Sequence, residues 1–320
     1  MNLENFLNEY PLPNIWWTIS GLPGLVLAKG NDVLDLIHRL STNNCLQLQH
    51  DSGKQTILTN EKGRIIDVIT VIPFQDHILI LTSRNQEEQV IQWLKKYIIM
   101  EDIKFSVVTE DYDMIALHGA ESMDCVSQLL HNRQLNVPMH SIIYSEKPDT
   151  RFAIRCMPLN EMHFLIMDIK GSGLVNLFSD SSIVEYDEHM YQIQRILAGY
   201  GIYGNELSEE YNPLEAGLLH LIDFKKGCYI GQEVIARLDS YNKVQKRLMG
   251  FYSKDSVKSG AKLKMDDQEI GKVTSFVTVQ SGTIGLAYVR SEHAYPESEI
   301  KVSYEDVQSD CTLHSIPMRK

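Results

Sequence analysis

Apolar positions along the chain recur with two periods, and the alternation between them outlines the architecture. In GNDVLDLIHRLSTNN, Val33, Leu34, Leu36, Ile37 and Leu40 follow the spacing of one helix face. Asn31 or Asp32 can cap that helix by offering a side-chain oxygen to an orphan backbone N–H. KQTILTN and RIIDVITVI read instead as two strands joined at EKG, with Gly63 supplying the turn conformation. HILILTS is a third strand. A helix over about residues 86–98 carries Val90, Ile91, Leu94 and Ile98 on one face, and IKFSVVTE closes the block as a strand.

A comparable block follows. DMIALHG predicts a strand and AESMDCVSQLLHNRQL a helix; HSIIYS, RFAIRCM and EMHFLIMD are strands, and GLVNLFSD begins another helix. HMYQIQRILAGY is helical, with Gly199 or Gly201 near its C-terminal end. From residue 246 the helical period disappears. KRLMGFYS, AKLKM, QEIGKVTSFVTV, TIGLAYVR, EIKVSYE and CTLHSI are short strands separated by turn residues, the pattern of a small all-β barrel or sandwich. The expected fold class is α+β: residues 1–245 as two α+β subdomains, one over about 45–110 and the other from the remainder, followed by a β-barrel over 246–320.

Composition narrows the function. The 320 residues suffice for two or three cores, and 43% hydrophobic with 22% charged residues is ordinary for a globular chain. No apolar run reaches eighteen residues, so no membrane-spanning helix is expected, and the N-terminus lacks the basic start and apolar stretch of a secretory signal. Cys45, Cys125, Cys156, Cys228 and Cys311 are odd in number and form no CxxC pair. That argues against a disulfide framework and a structural zinc site, and for the reducing cytoplasm. With 42 acidic against 30 basic residues and a net charge of −12, direct binding to a long nucleic acid is disfavoured. The sequence contains no GxxxxGK[ST], HExxH or GxSxG motif. KGSGLV, from Lys170, reads as a plain strand-to-helix turn. His118 and His220 lie in apolar context and read as core residues before ligands or bases.

Chemistry concentrates in DFKKGCYIGQEVIARLDSY. A thiol reacts as its thiolate, which nearby cations and a helix N-terminus favour. Lys225 and Lys226 precede Cys228, and Val234, Ile235 and Leu238 mark a helix that Gly231 can start. Gln232 and Glu233 add an amide and a carboxylate at that end. Lys225 and Lys226 are expected to form a positive pocket for a small anion, with Lys243, Lys246 and Arg247 on a solvated face. The other four cysteines are read as small buried hydrophobes.

KGCYIGQE, Lys226 to Glu233, resembles the hallmark motif of the YgfZ family, K-G-C-aromatic-x-G-Q-E. QRILAGYGIYGNELSEEYNPLEAGLLHLI resembles a run of the wider superfamily that includes the glycine cleavage T-protein, through Arg195, Tyr203, Gly204, Glu206, Leu207, Pro213 and Glu215 to Leu218. NEKGRIIDVI is similar to that superfamily's early hairpin and IGKVTS…IGLAYV to its barrel. The resemblance implies a three-domain ring: two ferredoxin-like subdomains, whose segments can interleave, and the barrel enclose a reduced folate such as tetrahydrofolate. It further implies a role in assembly or repair of iron–sulfur clusters, with client proteins such as tRNA-thiolating radical enzymes as partners. A ring that encloses its own ligand needs no second copy.

On this resemblance Cys228 is the reactive group at the folate cavity, as nucleophile, thiol carrier or transient cluster contact. Lys226, Gly227, Tyr229, Gly231, Gln232, Glu233, Arg237, Asp67, Arg195 and Glu215 contribute to folate binding, and no resident metal is expected. Two departures weigh against the alternative of an aminomethyltransferase or demethylase. The T-protein hairpin carries two consecutive acids where this chain has Asp67 followed by Val68, and its GYTGE-like pterin-holding segment has no match around RFAIRCMPLNEMHFLIM.

Overall fold

The computed structural model describes residues 3–132, 137–146, 150–156, 163–241, 243–258, 260–266, 268–305 and 307–319. The chain opens with α1 (Leu3–Glu9), β1 (Trp16–Thr18) and β2 (Gly24–Lys29), then α2 (Val33–Leu40), β3 (Lys54–Thr59), β4 (Ile65–Pro73), β5 (Ile78–Thr82), α3 (Glu87–Lys95) and β6 (Lys104–Val107). Strands β2 to β6 form an antiparallel sheet ordered β3-β4-β5-β2-β6. Its outer face packs on α2 and α3 through Val26, Leu36, Ile37, Ile69, Val90 and Leu94.

The second unit comprises β7 (Tyr112–His118), α4 (Ser122–Leu130), β8 (Ile142–Tyr144), β9 (Phe152–Cys156), β10 (His163–Ile169), α5 (Leu174–Ser179) and β11 (Val184–Glu185). Its sheet also takes β1, inserted between β11 and β7, so the N-terminal strand reaches past the first unit. Helices α4 and α5 cover its outer face through Val126, Leu130, Leu174 and Phe178. The two sheets meet through Leu25, Ile72, Leu79, Leu81, Ile154 and Leu165. A fully buried sheet interior explains why β2, GLVLAK, reads as a continuous apolar run without alternation.

After α6 (Glu188–Ala198) and α7 (Gln232–Ser240), six strands close a barrel: β12 (Lys246–Ser253), β13 (Lys262–Met265), β14 (Gln268–Val279), β15 (Gly282–Arg290), β16 (Glu299–Tyr304) and β17 (Val307–His314). Closure removes the exposed edges that strands this short would otherwise present. Phe251, Leu263, Ile270 and Val289 fill the barrel, while Leu248, Ile284, Leu286 and Tyr288 turn outward against α6. The fold is thus α+β with a C-terminal barrel, as expected.

Local details refine the expectations. Asp32 occupies the α2 N-cap, but its carboxylate accepts from the Asp102 N–H at 2.8 Å instead of capping the helix. Gly63 takes the left-handed turn conformation and Gly199 caps α6 in the same region. Strands β1, β2 and β11 and helix α1 carry no periodic signal of their own. The C-terminal end of the helix expected over AESMDCVSQLLHNRQL, the last residue of RFAIRCM and the first two of EMHFLIMD lie outside the described residues. Among the described residues no helix is long and apolar enough to cross a membrane.

Leu286 is fully buried where the barrel meets α6. Leu286→Ala is expected to cost about 2–5 kcal/mol by leaving a cavity. The measurement is a lowered urea midpoint with an unchanged denaturant slope.

Candidate functional site

A cavity of about 1210 Å³ lies where the three units meet. The first sheet contributes Val68, Thr70, Leu81 and Ser83; the second contributes Ala116, Cys156, His163 and Leu165. The run after α6 adds Tyr200, Tyr203 and Leu214 to Leu218, and the barrel adds Arg247, Leu248 and Met249. Its size and mixture of apolar wall and scattered polar groups suit a small organic ligand.

The KGCYIGQE segment stands outside this lining. Lys226 is buried, and its ammonium donates to the carbonyls of His38 (2.5 Å), Ser41 (2.6 Å) and Asn43 (2.9 Å). These carbonyls belong to the end of α2 and the turn after it, where acceptors are left without intrahelical partners. Burial lowers the Lys226 pKa to about 8. All three donors of the ammonium are committed, so Lys226 is a tether and not the anion-holding cation expected from sequence. Its backbone neighbours extend the same attachment: Asp223 N–H donates to the Thr42 carbonyl, Ile230 N–H to the Arg39 carbonyl, and the Thr59 hydroxyl to the Ile230 carbonyl at 2.6 Å.

Gly231 sits at φ +81°, and a β-carbon there would lie 2.5 Å from the Asn60 carbonyl oxygen and 2.8 Å from Gly63 Cα. Only glycine combines that conformation with such close approach. Tyr229 is buried with Ile222, Ile235 and Leu214, and Leu214 is itself a cavity wall residue. Gly227 is exposed, with only His38 Nε2 near its missing β-carbon, and nothing in the structure requires glycine there. Gln232 is half-buried; Glu233 and Arg237 are exposed on α7.

Cys228 is exposed on this clamped loop and is absent from the cavity lining. The expectation of a thiol at the cavity is therefore corrected. Lys226, two residues before it, turns inward to the carbonyls at the end of α2, while Cys228 is exposed. Arg237 is likewise off the cavity. Glu215 lines it, although its carboxylate already accepts from Arg64 (3.1 Å) and the Asn212 N–H (3.1 Å).

Arg195 is 2% exposed and does not line the cavity. It donates to Gln192 Oε1, the Tyr200 carbonyl and Ser275 Oγ, and stands 3.7 Å from Glu206. It therefore braces the wall that carries Tyr200 against β14. Asp67 is fully buried behind the lining. It accepts from the Ser83 hydroxyl (2.6 Å) and N–H (3.0 Å) and from the Val68 N–H (2.9 Å). Burial raises its pKa to about 6 despite those hydrogen bonds.

Sequence reading did not assign several lining groups to the cavity: it set Arg247 on a solvated face and read His118 as a core residue. Arg84 and Arg247 are the arginines of the lining. Tyr200, its pKa raised to about 12 by burial and then by Cys156 and Asp67, lies close enough to both for their charges to act on it. His118 and His163 contact each other at the second-sheet wall. Cross-strand register unites them, and no local motif could have announced it. Among the described residues no group of three or more His, Cys, Asp or Glu side chains is arranged to hold a metal ion.

Two sheets face to face and a barrel closing the third side define a three-domain protein that encloses a ligand-sized chamber. Residues 24–146 match the GCVT N-terminal domain family and residues 246–320 match the glycine cleavage T-protein C-terminal barrel domain family. A chloroplastic Arabidopsis thaliana protein carried under a provisional transferase name is 27% identical, over 89% of this chain and 67% of its own length. The aminomethyltransferase of Thermoanaerobacter pseudethanolicus is 23% identical over 87% of this chain and 79% of its own. The crystal structure of the glycine cleavage system aminomethyltransferase T from Bartonella henselae superposes with a TM-score of 0.82 at 16% identity, covering 97% of this chain and 88% of that one. That likeness shows the shared fold.

Two measurements probe the site. Because folding raises the Asp67 pKa, the group's stabilising contribution is complete below pH 3.8 and is lost as pH rises through about 6. Between pH 4 and 8 that loss is on the order of 3 kcal/mol, and urea titrations of Asp67→Asn should show a flatter profile over this window. Lys226→Met should strand the buried His38 and Ser41 carbonyls and the half-buried Asn43 carbonyl and lower stability by about 2–4 kcal/mol, with Cys228 remaining reactive to a thiol reagent in the folded protein.

Proposed function

We propose that the chain is a folate-binding accessory protein of the YgfZ type, supporting iron–sulfur cluster assembly or repair in client proteins such as tRNA-thiolating radical enzymes. The observation that carries this reading is a separation of roles. A chamber suited to a small ligand lies inside the three units, while the clamped KGCYIGQE loop holds Cys228 on the outer surface. A thiol so placed meets a protein partner and not the enclosed ligand.

A reduced folate suits the chamber. Leu81, Leu165 and Leu207 offer apolar wall to a heterocycle, Tyr200 and Gln192 offer polar partners, and Arg84 or Arg247 can meet a carboxylate tail. These arginines replace Lys226 and Arg237 as the expected tail contacts. The relatives named aminomethyltransferases are consistent with folate as ligand. The free thiols suit the reducing cytoplasm proposed as its location.

One observation favours a tetrahydrofolate-dependent aminomethyltransferase or demethylase as a second reading. Asp67, its pKa near 6, stands directly behind Ser83 and Val68 of the cavity wall, as a proton-exchanging group would. Its full burial counts against direct contact with substrate.

Calorimetry with 5-formyltetrahydrofolate is expected to show binding to the wild type, retained within roughly twofold by Cys228→Ser. Cys228→Ser should nevertheless fail to restore cluster-dependent enzyme activities in a strain lacking the gene. Absence of both heat and thermal stabilisation removes the folate assignment. Full restoration by Cys228→Ser removes the role of the thiol. Turnover of an aminomethyl donor to methylenetetrahydrofolate establishes the second reading instead.

A further inference from the structure

Across the second sheet, β1, β7, β10 and β9 bring Trp16, His118, His163 and Cys156 into one cross-strand row. The last three line the cavity. The imidazoles of His118 and His163 meet through their Nδ1 atoms at 3.1 Å with ring planes at 87°. His118 stacks on Trp16 with centroids 3.8 Å apart and planes within 3°. Both histidines are buried, and His118 Nε2 has no hydrogen-bond partner. Burial holds the His118 pKa well below the usual imidazole range and pushes that of His163 down to about 3, so the pair is neutral at physiological pH.

Neutrality determines what the pair can offer. Two facing Nδ1 atoms share one proton, so one ring carries a hydrogen at Nε2 and the other a bare Nε2. Whichever way the shared proton sits, the dyad holds one donor and one acceptor. A buried ring nitrogen left unpartnered is costly, and a bound group can relieve that cost.

We propose that the His118–His163 pair is a binding subsite of the cavity for a neutral lactam edge, in which a ring N–H lies beside a ring carbonyl. The subsite rests on the reading of the cavity as a ligand chamber and assigns the second-sheet wall to the ligand's heterocycle. Any anionic tail then extends toward Arg84 or Arg247. Cys156, held protonated by burial with its pKa near 12, stands opposite His163 and adds no charge to the wall.

The test uses the full chain with His118→Phe and His163→Phe, which keep a buried ring and remove its nitrogens. The probes are 2-amino-4-oxopteridine, which carries the lactam without a tail, and 5-formyltetrahydrofolate. Each variant should bind the pteridine about tenfold more weakly than wild type, the effect of one lost buried hydrogen bond. Equal pteridine affinity in wild type and variants, or none in wild type, overturns the subsite. Pteridine binding that the variants lose, with no binding of 5-formyltetrahydrofolate to wild type, supports the subsite and overturns the folate reading. If a variant does not fold, imidazole 15N spectra of the wild type decide. Pteridine-dependent shifts at both Nε2 atoms support the subsite, and unmoved resonances overturn it.

Discussion

The burial of one ammonium group organises the segment that carries the most distinctive chemistry in this chain. Lys226 enters the low-dielectric interior because three backbone carbonyls at the end of α2 receive its protons, and an ammonium stripped of water without such partners would be costly. That attachment draws the loop onto the first unit, seats Gly231 against the β3–β4 hairpin and places Tyr229 behind the cavity wall. With its neighbours anchored on both sides, Cys228 is left facing outward. Lys226, two residues before Cys228 in sequence, thus anchors the loop on which the thiol is exposed.

A second buried cation maintains the chamber. Arg195 links α6, the Tyr200 backbone and the barrel hydroxyl of Ser275, with Glu206 as its buried counter-charge. The Tyr288 hydroxyl adds a bond to the Glu206 carbonyl, and its ring stacks on Tyr211 at 3.5 Å. Cavity walls in a close-packed protein stay apart only when each is held from behind. Here the supporting groups are polar and paired, so loss of either partner would strand a buried charge.

The interior and the exterior consequently bear different chemistry. Inside, Asp67, Tyr200, Cys156 and the histidine pair are all biased by burial toward their uncharged forms. Arg84 and Arg247 supply the arginine side chains of the cavity lining. Outside, the thiol stands on a loop whose backbone is fastened at Thr42, Arg39 and Thr59. Leu214 lines the cavity and packs on the buried Tyr229, while Cys228, next to Tyr229 in sequence, is exposed and off that lining.

Much of the fold was legible along the chain because each long element buries one face, and that face imposes period 3.6 on α2 and α6 and short turn-bounded strands on the barrel. The KGCYIGQE run and Asp67 at its hairpin could be singled out as local patterns. Strands β1 and β11, of three and two residues, are too short to carry a period and exist only because a neighbouring sheet accepts their hydrogen bonds. The direction of Lys226, the outward set of Cys228 and the meeting of His118 with His163 depend on partners 185 and 45 residues away. Sequence determined which side chains were available and which faces had to be buried; tertiary structure decided which of them meet, because burial and hydrogen-bond pairing act between segments that linear spacing leaves unrelated.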